Sequence, residues 1–390
     1  MMSEATDAAP TLRDFDTAGF LRNYWQKRPL LIRKAFVNWS NPLEPDELAG
    51  LACEPEVESR LVRRTAPGQW ELENGPLDPS RFGELGASPW TLLVQSADHH
   101  VGEVAALIEP FRFIPDWRID DVMVSYASDG GGVGPHFDQY DVFLVQGLGR
   151  RRWRIGPSCD DTAPLLQHDD LRLLAEFETA DEWVLEPGDI LYVPPGVAHD
   201  GEAIGDNCMT YSVGFRAPSR GDLVSAFADH VLDSLGEDDR YTDPEEAVPA
   251  QPGEISHDAL ARLHGMVTGA LADRDAFARW FGTYITEQKD DRVDWAPEDT
   301  ITAEDLMSAG AGSVMLERNP AIRFAFILQG EDEVMLFVGG ARYACHGAAA
   351  EVAQRICAQA SFALGDETLR DPGVEELIVD LINRGYLAPD

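Results

Sequence analysis

The chain reads His136-Phe137-Asp138 at one point and Gly188-Asp189-Ile190-Leu191-Tyr192-Val193-Pro194-Pro195-Gly196-Val197-Ala198-His199 further on, and these two segments decide its fold. Residues i and i+2 of a β-strand point to the same side, so a strand through the first segment places His136 and Asp138 on one face. The second segment predicts a tight turn, a short apolar strand and a Pro/Gly turn that ends at His199. We therefore expect polar side chains from two distant segments to meet at the mouth of a β-structure.

Two imidazoles and one carboxylate can occupy one face of an octahedral metal and leave the opposite positions open for a co-substrate and dioxygen. This is the ligand set of non-haem Fe(II) oxygenases, and it makes His136, Asp138 and His199 the predicted iron ligands. An H-x-D pair alone is weak evidence, because it occurs by chance in many proteins. The Gly-Asp-x-x-x-x-Pro-x-Gly-x-x-His element that follows at cupin-like distance makes the signal specific.

The region from Trp117 to Phe215 has an almost entirely β pattern, with short strands separated by Gly, Pro and Asp turns. The predicted strands are Asp121–Tyr126, Val142–Gly147, Arg152–Gly156, Trp183–Leu185, Ile190–Val193 and Met209–Phe215. Such regular punctuation is typical of a sandwich or barrel. We expect a jelly-roll (double-stranded β-helix), because that fold holds a metal between its sheets.

Arg151 is predicted to point into this jelly-roll. In the segment Arg150–Ile155, strand periodicity puts Arg151, Trp153 and Ile155 on one face, and the large apolar groups identify that face as the inner one. A buried guanidinium needs an anion, and its planar fork suits a carboxylate. An Fe(II) site with such a neighbour fits 2-oxoglutarate, whose distal carboxylate Arg151 would bind, with help from the hydroxyl of Ser125. The alternative is an internal ion pair with an Asp or Glu of the chain.

Composition limits the class of protein. The chain has 390 residues, enough for two or three domains, and a net charge of −38, which argues against binding the nucleic-acid phosphate backbone. The acidity is either a solvated surface or a means of attracting a basic partner. We expect no membrane span and no secretory signal. The five cysteines are scattered and lack a C-x-x-C pattern, so a reducing, cytoplasmic location is predicted.

The part of the chain after the β region changes character. Helices are predicted from Ser219 over Gly221–Leu235, from Ser256 to about Ala272 and from Asp275. A small α+β module follows, with predicted strands at Ile322–Leu328, Glu333–Val338 and Ala341–Cys345 and helices near Ala348–Ala360 and Gly373–Arg384. We therefore predict a catalytic jelly-roll domain over 1–218, a helical region over 219–295 and a winged-helix-like domain over 296–390. The last domain lacks the basic face that a DNA reader needs.

Six segments resemble the bacterial JmjC ribosomal oxygenases. They are Trp25–Pro29, Trp117–Asp121, Gly131–Phe143, Gly149–Arg154, Gly188–His199 and Tyr211–Pro218. The resemblance runs from about Phe20 to the C-terminus and is densest over Thr91–Pro218. Many wider JmjC enzymes have lysine where Arg151 stands, so the chain fits this subgroup better than the histone demethylases.

The resemblance implies an Fe(II)- and 2-oxoglutarate-dependent protein hydroxylase that consumes dioxygen. Its implied substrate is an arginine β-carbon (C3) in the sixteenth protein of the large ribosomal subunit, a basic partner that the acidic surface would attract. It also implies a homodimer formed through the helical region and a winged-helix-like domain without DNA-binding function. By position, the resemblance assigns iron to His136, Asp138 and His199, 2-oxoglutarate to Arg151 and Ser125, and the substrate arginine to Asp121, Tyr140 and Ser212.

Two classes of alternative function remain open at this stage. The first keeps the oxygenase chemistry and changes the substrate to a histidine, a methylated lysine or a small molecule. The second is a cupin that binds metal without turnover, or a dimeric scaffold. The intact ligand set together with Arg151 weighs against the second class.

Overall fold

The computed structural model describes residues 10–66, 68–86, 88–168, 170–243, 251–289, 293–309 and 312–389. They form two compact units, the first made of the described residues up to Ala217 with short later segments at Asp294 and Asn319–Ala321. The second unit begins at Pro218 and holds the remainder. Within the described ranges, no helix is both long enough and apolar enough to cross a membrane.

The first unit is built on a single nine-stranded sheet. Its strands are β1 (Leu30–Ile32), β2 (Ser59–Ala66), β3 (Gln69–Asn74), β4 (Trp90–Val94), β5 (Ile119–Ala127), β6 (Asp141–Ser158), β7 (Asp181–Leu185), β8 (Ile190–Val193) and β9 (Val197–Phe215). The helices are α1 (Thr17–Asn23), α2 (Pro45–Leu51) and α3 (Gly102–Ala105), with short 3-10 turns at Pro79–Glu84, Ala97–His99, Ala106–Phe111 and Asp116–Arg118.

The sheet is antiparallel, in the order β1-β8-β6-β9-β5-β4-β2-β3, and β7 pairs with the far end of β6. β6 therefore pairs with β8 along its first half and β7 along its second, while β9 follows its other edge throughout. This arrangement places β6 and β9 side by side through the middle of the fold.

β6 is one strand of 18 residues, where the sequence predicted two. The pairing with β9 shifts register between Gln146 and Leu148 and again between Leu148 and Arg150, which marks bulges. Gly149 makes the second shift possible, because its φ is +60° and a β-carbon there would lie 2.5 Å from the carbonyl oxygen of Asn207. The predicted interruption is thus a bulged continuation of the same strand.

The two faces of this sheet carry different residues. On one face, Phe143, Val145, Tyr211 and Val213 join the largest apolar core. On the other, a smaller apolar cluster surrounds the inner end of the site and consists of Val142, Leu144, Trp153, Ile155, Leu185, Leu191, Val193 and Val197. Alternation of side chains along β6 and β9 produces this division, and the face with the smaller cluster is the one that also carries the buried polar side chains.

The second unit contains helices followed by two small sheets. Its helices are α4 (Arg220–Leu232), α5 (His257–Ala270), α6 (Arg274–Thr286), α7 (Ala303–Ala309), α8 (Ala348–Ala358), α9 (Asp366–Leu369) and α10 (Pro372–Asn383). Its strands are β10 (Ser313–Arg318), β11 (Phe324–Leu328), β12 (Glu333–Val338), β13 (Ala341–His346), β14 (Ser361–Gly365) and β15 (Leu387–Pro389). The sheets have the orders β14-β10-β15 and β11-β12-β13.

The start signals predicted in the second unit were mostly correct. Ser219 and Ser256 cap α4 and α5, as expected from their side-chain oxygens. The third helix was expected to open at Asp275, but it begins at Arg274 because Asp273 accepts hydrogen bonds from two backbone N–H groups. The aromatic side chains of α6 pack on Phe227 of α4, with ring centroids 5.1 Å from both Phe277 and Trp280.

Candidate metal and co-substrate site

His136, Asp138 and His199 lie together at one end of β9. One ligand atom of each lies within 4.8 Å of those of the other two. The Nε2 atoms of His136 and His199 are 3.8 and 3.5 Å from the same Asp138 oxygen, Oδ2. Two nitrogens and one oxygen that converge at this spacing fit a single divalent metal with further positions open.

The two imidazoles are oriented by backbone carbonyls. His136 Nδ1 lies 2.8 Å from the carbonyl oxygen of Gly134, and His199 Nδ1 lies 2.9 Å from that of Val197. A carbonyl can only accept, so each Nδ1 carries the proton and each Nε2 of a neutral ring presents a lone pair. The second nitrogen of a metal-bound histidine usually makes such a hydrogen bond, which fixes the tautomer.

His199 is buried, and this burial sets its charge. Desolvation lowers the pKa of His199 to about 4, with a smaller effect in the same direction from His136, while Asp138 acts in the opposite sense. The imidazole is therefore neutral at physiological pH, which is the form that binds a metal.

The backbone around the ligands differs from the prediction. His136 and Asp138 lie outside a regular strand. An isolated bridge between His136 and His199 ties the segment to β9, and the Gly196 N–H donates to the carbonyl oxygen of Asp138. His199 was expected in a turn at the mouth, but it lies inside β9, opposite Ile155 of β6. The pairing of two long strands fixes it there.

The glycine-rich segment before His136 packs closely against β9. Gly130 N–H donates to the carbonyl oxygen of Ala203, and Ala203 N–H donates to that of Gly131. A β-carbon at Gly132 would lie 2.2 Å from the carbonyl oxygen of Gly201. This close approach positions His136 from the side opposite β6.

Arg151 is buried on the inner face, as strand periodicity predicted. Its Nη1 donates to Ser125 Oγ at 3.0 Å and to Thr210 Oγ1 at 3.2 Å. Trp153 lies between the arginine and the metal ligands, with its ring 5.3 Å from Arg151 Cζ and 5.9 Å from the ring of His199. The inner face thus presents a metal-binding end and a cationic end, joined by an aromatic side chain.

The alternative of an internal ion pair for Arg151 finds no support. Within the described ranges, no Asp or Glu oxygen lies within 4.0 Å of its guanidinium, and its buried Nε has no hydrogen-bond partner. Asp200 attracts it only at longer range, because the Asp200 carboxylate pairs with Arg154. Desolvation lowers the pKa of Arg151, although the side chain remains a cation at physiological pH. Since an unpaired buried charge is costly, the Nε side of the guanidinium fits an anionic ligand.

The predicted substrate residues lie nearer the start of β5 and β6. The buried Asp121 carboxylate accepts hydrogen bonds from Gln95 Nε2 at 2.6 Å and Ser96 Oγ at 2.7 Å. Desolvation, followed by the charges of Asp138 and Asp121, raises the pKa of Tyr140, although 38% of its surface stays exposed. Ser212 stands opposite Met123 of β5 and Leu144 of β6.

Three family models match the chain. A JmjC domain matches residues 106–223, an AraC-like ligand-binding domain matches 178–269, and a ROXA-like winged helix matches 269–388. The metal-ligand candidates and Arg151 all lie inside the first of these ranges. The predicted jelly-roll and winged-helix-like domains are both confirmed.

The chain is 39% identical to the ribosomal protein uL16 3-hydroxylase of Escherichia coli over 368 residues, which are 94% of this chain and 96% of that protein. The chain belongs to the JmjC ribosomal oxygenase family. A solved structure of the E. coli ribosomal oxygenase YcfD matches with a TM-score of 0.87 and 36% identity, covering 98% of this chain and all of that one. Another, in complex with cobalt and 2-oxoglutarate, matches with a TM-score of 0.84 and 37% identity over 98% and 99% of the two chains.

The sequence reasoning missed two polar residues of this JmjC oxygenase. Thr210 contacts Arg151 directly, and Gln146 contacts Thr210. Alternation along β9 could have revealed Thr210, because it lies two residues before Ser212 and so shares its face. The contact of Gln146 with Thr210 could not be predicted in this way, because it depends on how β6 pairs with β9.

Proposed function

We propose that this JmjC ribosomal oxygenase is an Fe(II)- and 2-oxoglutarate-dependent protein hydroxylase. The observation that carries the proposal is the pairing of a three-ligand metal site with a buried arginine whose Nε has no hydrogen-bond partner in the described chain. His136, Asp138 and His199 would bind the iron. Arg151 would bind the distal carboxylate of 2-oxoglutarate, and Ser125, which accepts a hydrogen bond from Arg151 Nη1, would lie beside it. When bound, iron and 2-oxoglutarate supply the oxidising power that inserts an oxygen atom from dioxygen into a C–H bond.

The chain's own residues orient the reactants and exclude water. The carbonyls of Gly134 and Val197 keep the proton on Nδ1 of the two histidines, so that Nε2 stays available to the metal. Trp153 and the apolar residues of β6 and β8 enclose the inner face. Low polarity there strengthens the attraction between Arg151 and a carboxylate, and the fixed guanidinium sets the direction of the co-substrate.

We propose an arginine of ribosomal protein uL16 as the substrate. The E. coli relative that is named a uL16 3-hydroxylase aligns with almost the whole chain. Asp121 and Tyr140 supply the carboxylate and phenol oxygens that a guanidinium requires as acceptors, and Ser212 adds a hydroxyl. Gln95 and Ser96 hold the Asp121 carboxylate in place, which favours recognition of a fixed cation over a small neutral molecule. Such a substrate implies action in the cytoplasm.

The test combines turnover with site mapping. The purified protein, supplied with Fe(II) and 2-oxoglutarate, is incubated with uL16 from its own organism. Succinate release and the peptide masses of uL16 are then measured. We expect succinate to depend on uL16 and one peptide to gain the mass of a single oxygen atom on arginine C3. Replacement of that arginine by lysine should abolish both signals. Oxidation of a histidine, or loss of a methyl group from lysine, would contradict the substrate assignment while leaving the oxygenase chemistry intact.

We also propose that the helical region, residues 219–295, forms a homodimer. Its helix α5 contains no buried residue, although it carries a stripe of apolar side chains at helical spacing. Leu260, Leu263 and Val267 are 51%, 41% and 64% exposed. An apolar stripe of this kind on a highly acidic protein favours a second copy as the occupant, because the same stripe can pair with itself across a two-fold axis.

Sedimentation tests the dimer. Leu263→Glu together with Val267→Glu should convert the dimer into a monomer and leave the helical content unchanged. Val37→Glu is a matched control, because Val37 is 50% exposed but lies in the jelly-roll unit. A wild-type protein that sediments as a monomer at micromolar concentration would contradict the proposal.

A further inference from the structure

A row of polar side chains crosses the inner face next to Arg151. Ser125 of β5, Thr210 of β9 and Gln146 of β6 occupy directly opposite positions on neighbouring strands. All three are buried. Such groups are costly inside a protein unless their hydrogen bonds are satisfied, so the direction of each hydrogen bond matters.

Gln146 has a fixed orientation. Its Nε2 donates to the carbonyl oxygen of Leu148 at 2.7 Å and to that of Met209 at 3.1 Å. Both carbonyls belong to the bulged part of the β6–β9 pairing. A flipped amide would place Oε1 against two acceptors, so Oε1 must point toward Thr210.

This orientation decides what Thr210 can do. Its single hydroxyl proton goes to Gln146 Oε1, 3.3 Å away, so its lone pairs remain to accept from Arg151 Nη1. Ser125 behaves in the same way, because it donates to the carbonyl oxygen of Thr210 at 3.4 Å and accepts from Arg151 Nη1 at 3.0 Å. Both N–H groups of Nη1 are thereby used by the protein.

The rest of the guanidinium is left for a ligand. The Nε and Nη2 atoms form one edge of the planar group and can donate two parallel hydrogen bonds to a carboxylate. The protein provides no partner for Nε within the described chain. The two hydroxyls therefore determine which edge of Arg151 faces the co-substrate.

We propose that Thr210 is a positioning residue for the co-substrate, and that Gln146 acts through it by fixing the direction of its hydroxyl. The pair orients the Nε/Nη2 edge of Arg151 toward the distal carboxylate of a 2-oxo dicarboxylic acid. This inference rests on the proposed function and adds to it a source of selectivity for dicarboxylic over monocarboxylic 2-oxo acids.

The test measures binding, with no need for turnover. The full-length protein loaded with Co(II) is titrated calorimetrically with 2-oxoglutarate and with 2-oxovalerate, which has the same length but lacks the distal carboxylate. Thr210→Val keeps the shape of the side chain and removes the hydroxyl. We expect the Kd for 2-oxoglutarate to rise about tenfold, since one hydrogen bond that orients a charged partner is lost. The Kd for 2-oxovalerate and the affinity for Co(II) should change by less than about twofold, because the acid has no distal carboxylate and Thr210 is not a metal-ligand candidate.

Two further variants complete the design. Thr210→Ser restores the hydroxyl and should restore most of the affinity. Thr91→Val is a matched control, because Thr91 is a buried strand threonine whose hydroxyl has no hydrogen-bond partner in the described chain, and it should leave both affinities unchanged.

Three results would overturn the inference. Thr210→Val could bind 2-oxoglutarate as the wild type does, or it could lose affinity for both acids equally, which would indicate general damage. Thr210→Ser could also fail to rescue binding. A wild-type protein that does not prefer 2-oxoglutarate over 2-oxovalerate would remove the proposed co-substrate role of Arg151 as well. Discrimination by the wild type with an unchanged Thr210→Val would remove the positioning role alone.

Discussion

Replacement of Arg151 by methionine should make the ligand-free protein no less stable while severely weakening its hold on 2-oxoglutarate. Methionine retains much of the volume and removes the charge. Most buried substitutions destabilise a protein by about 1 kcal/mol or more, so a neutral or stabilising result would itself be informative.

The expected stability follows from the contacts of Arg151. The substitution removes two hydrogen bonds from Nη1, to Ser125 and Thr210, which together contribute about 3 kcal/mol when the donor is charged. It also removes a buried cation without a charged partner, whose desolvation costs several kcal/mol. The two hydroxyls keep their own acceptors, the Thr210 carbonyl and Gln146, so neither proton is orphaned. We expect the free energy of unfolding to change by between zero and a gain of about 2 kcal/mol.

The expected loss of affinity follows from the charge of the co-substrate, which pairs with Arg151 in the bound state. Without Arg151, the distal carboxylate of 2-oxoglutarate would be buried without a cation. Breaking one partner of a buried, hydrogen-bonded charge pair costs about 3 kcal/mol, which corresponds to roughly a hundredfold rise in Kd. The affinity for the metal should not change, because no metal-ligand candidate hydrogen-bonds Arg151.

Urea unfolding of the metal-free protein and calorimetric titration of 2-oxoglutarate into the Co(II)-loaded protein measure the two quantities. Arg152→Met is the control, because Arg152 is the next residue on β6 but forms ion pairs with Glu182 and Glu202 on the outer face. It should leave the co-substrate affinity unchanged. The reasoning would be refuted by an Arg151→Met protein that is less stable than the wild type by about 1 kcal/mol or more, or that binds 2-oxoglutarate as tightly as the wild type.

Three further predictions concern the same region. Asp138→Asn should lower the affinity for Co(II) by more than about a hundredfold in calorimetry, because it replaces the only anionic ligand of the triad. His199 should contribute a loss of about 3 kcal/mol to the stability of the metal-free protein as the pH falls from 6.5 to about 4, because the unfolded chain then binds a proton that buried His199 does not accept. In denaturant unfolding, His199→Gln should lose less stability than the wild type over this pH range. Gly149→Ala should destabilise the protein by about 2 kcal/mol in urea unfolding and weaken 2-oxoglutarate binding, because a β-carbon meets the Asn207 carbonyl and the bulge that orients Arg151 must move.

Local periodicity was enough to predict much of the site. Alternation over Arg151, Trp153 and Ile155 identified the inner face of β6 without knowledge of the partner strands. The sequence also suggested that the Ser125 hydroxyl lies near Arg151, and the structure joins the two by a hydrogen bond. These inferences succeeded because each depends on fewer than about eight consecutive residues in one strand, where the period of two is reliable.

The bulges of β6 could not be predicted from the periodicity of its own sequence. Arg151 follows Gln146 by five positions, an odd offset, so a regular strand would place the two side chains on opposite faces. Two register shifts with β9 bring both side chains to Thr210. A bulge is a property of two paired strands, so the sequence of one strand could not reveal it.

Long-range pairing also explains the misplaced elements. The first half of β9 was not predicted, because the segment after His199 is rich in Gly, Asp and Glu and resembles a loop. In the second unit, β10, β14 and β15 were missed for a related reason, since they form a sheet from segments far apart in the chain. In both cases the partner strands, rather than intrinsic propensity, stabilise the extended backbone.

The arginines on β6 differ in their partners: those on the outer face form ion pairs within the chain, and Arg151 on the inner face does not. Arg154 lies 2.6 Å from Asp200, and Arg152 contacts Glu202 at 3.4 Å, so the outer face is neutralised within the chain. Arg151, which precedes both of them in the sequence, has only neutral oxygens within hydrogen-bonding distance. With 69 acidic residues against 31 lysines and arginines, the chain has carboxylates in excess for every cation. A buried arginine left without one in so acidic a protein is best explained by an anion that arrives from outside, which is the role that 2-oxoglutarate fills.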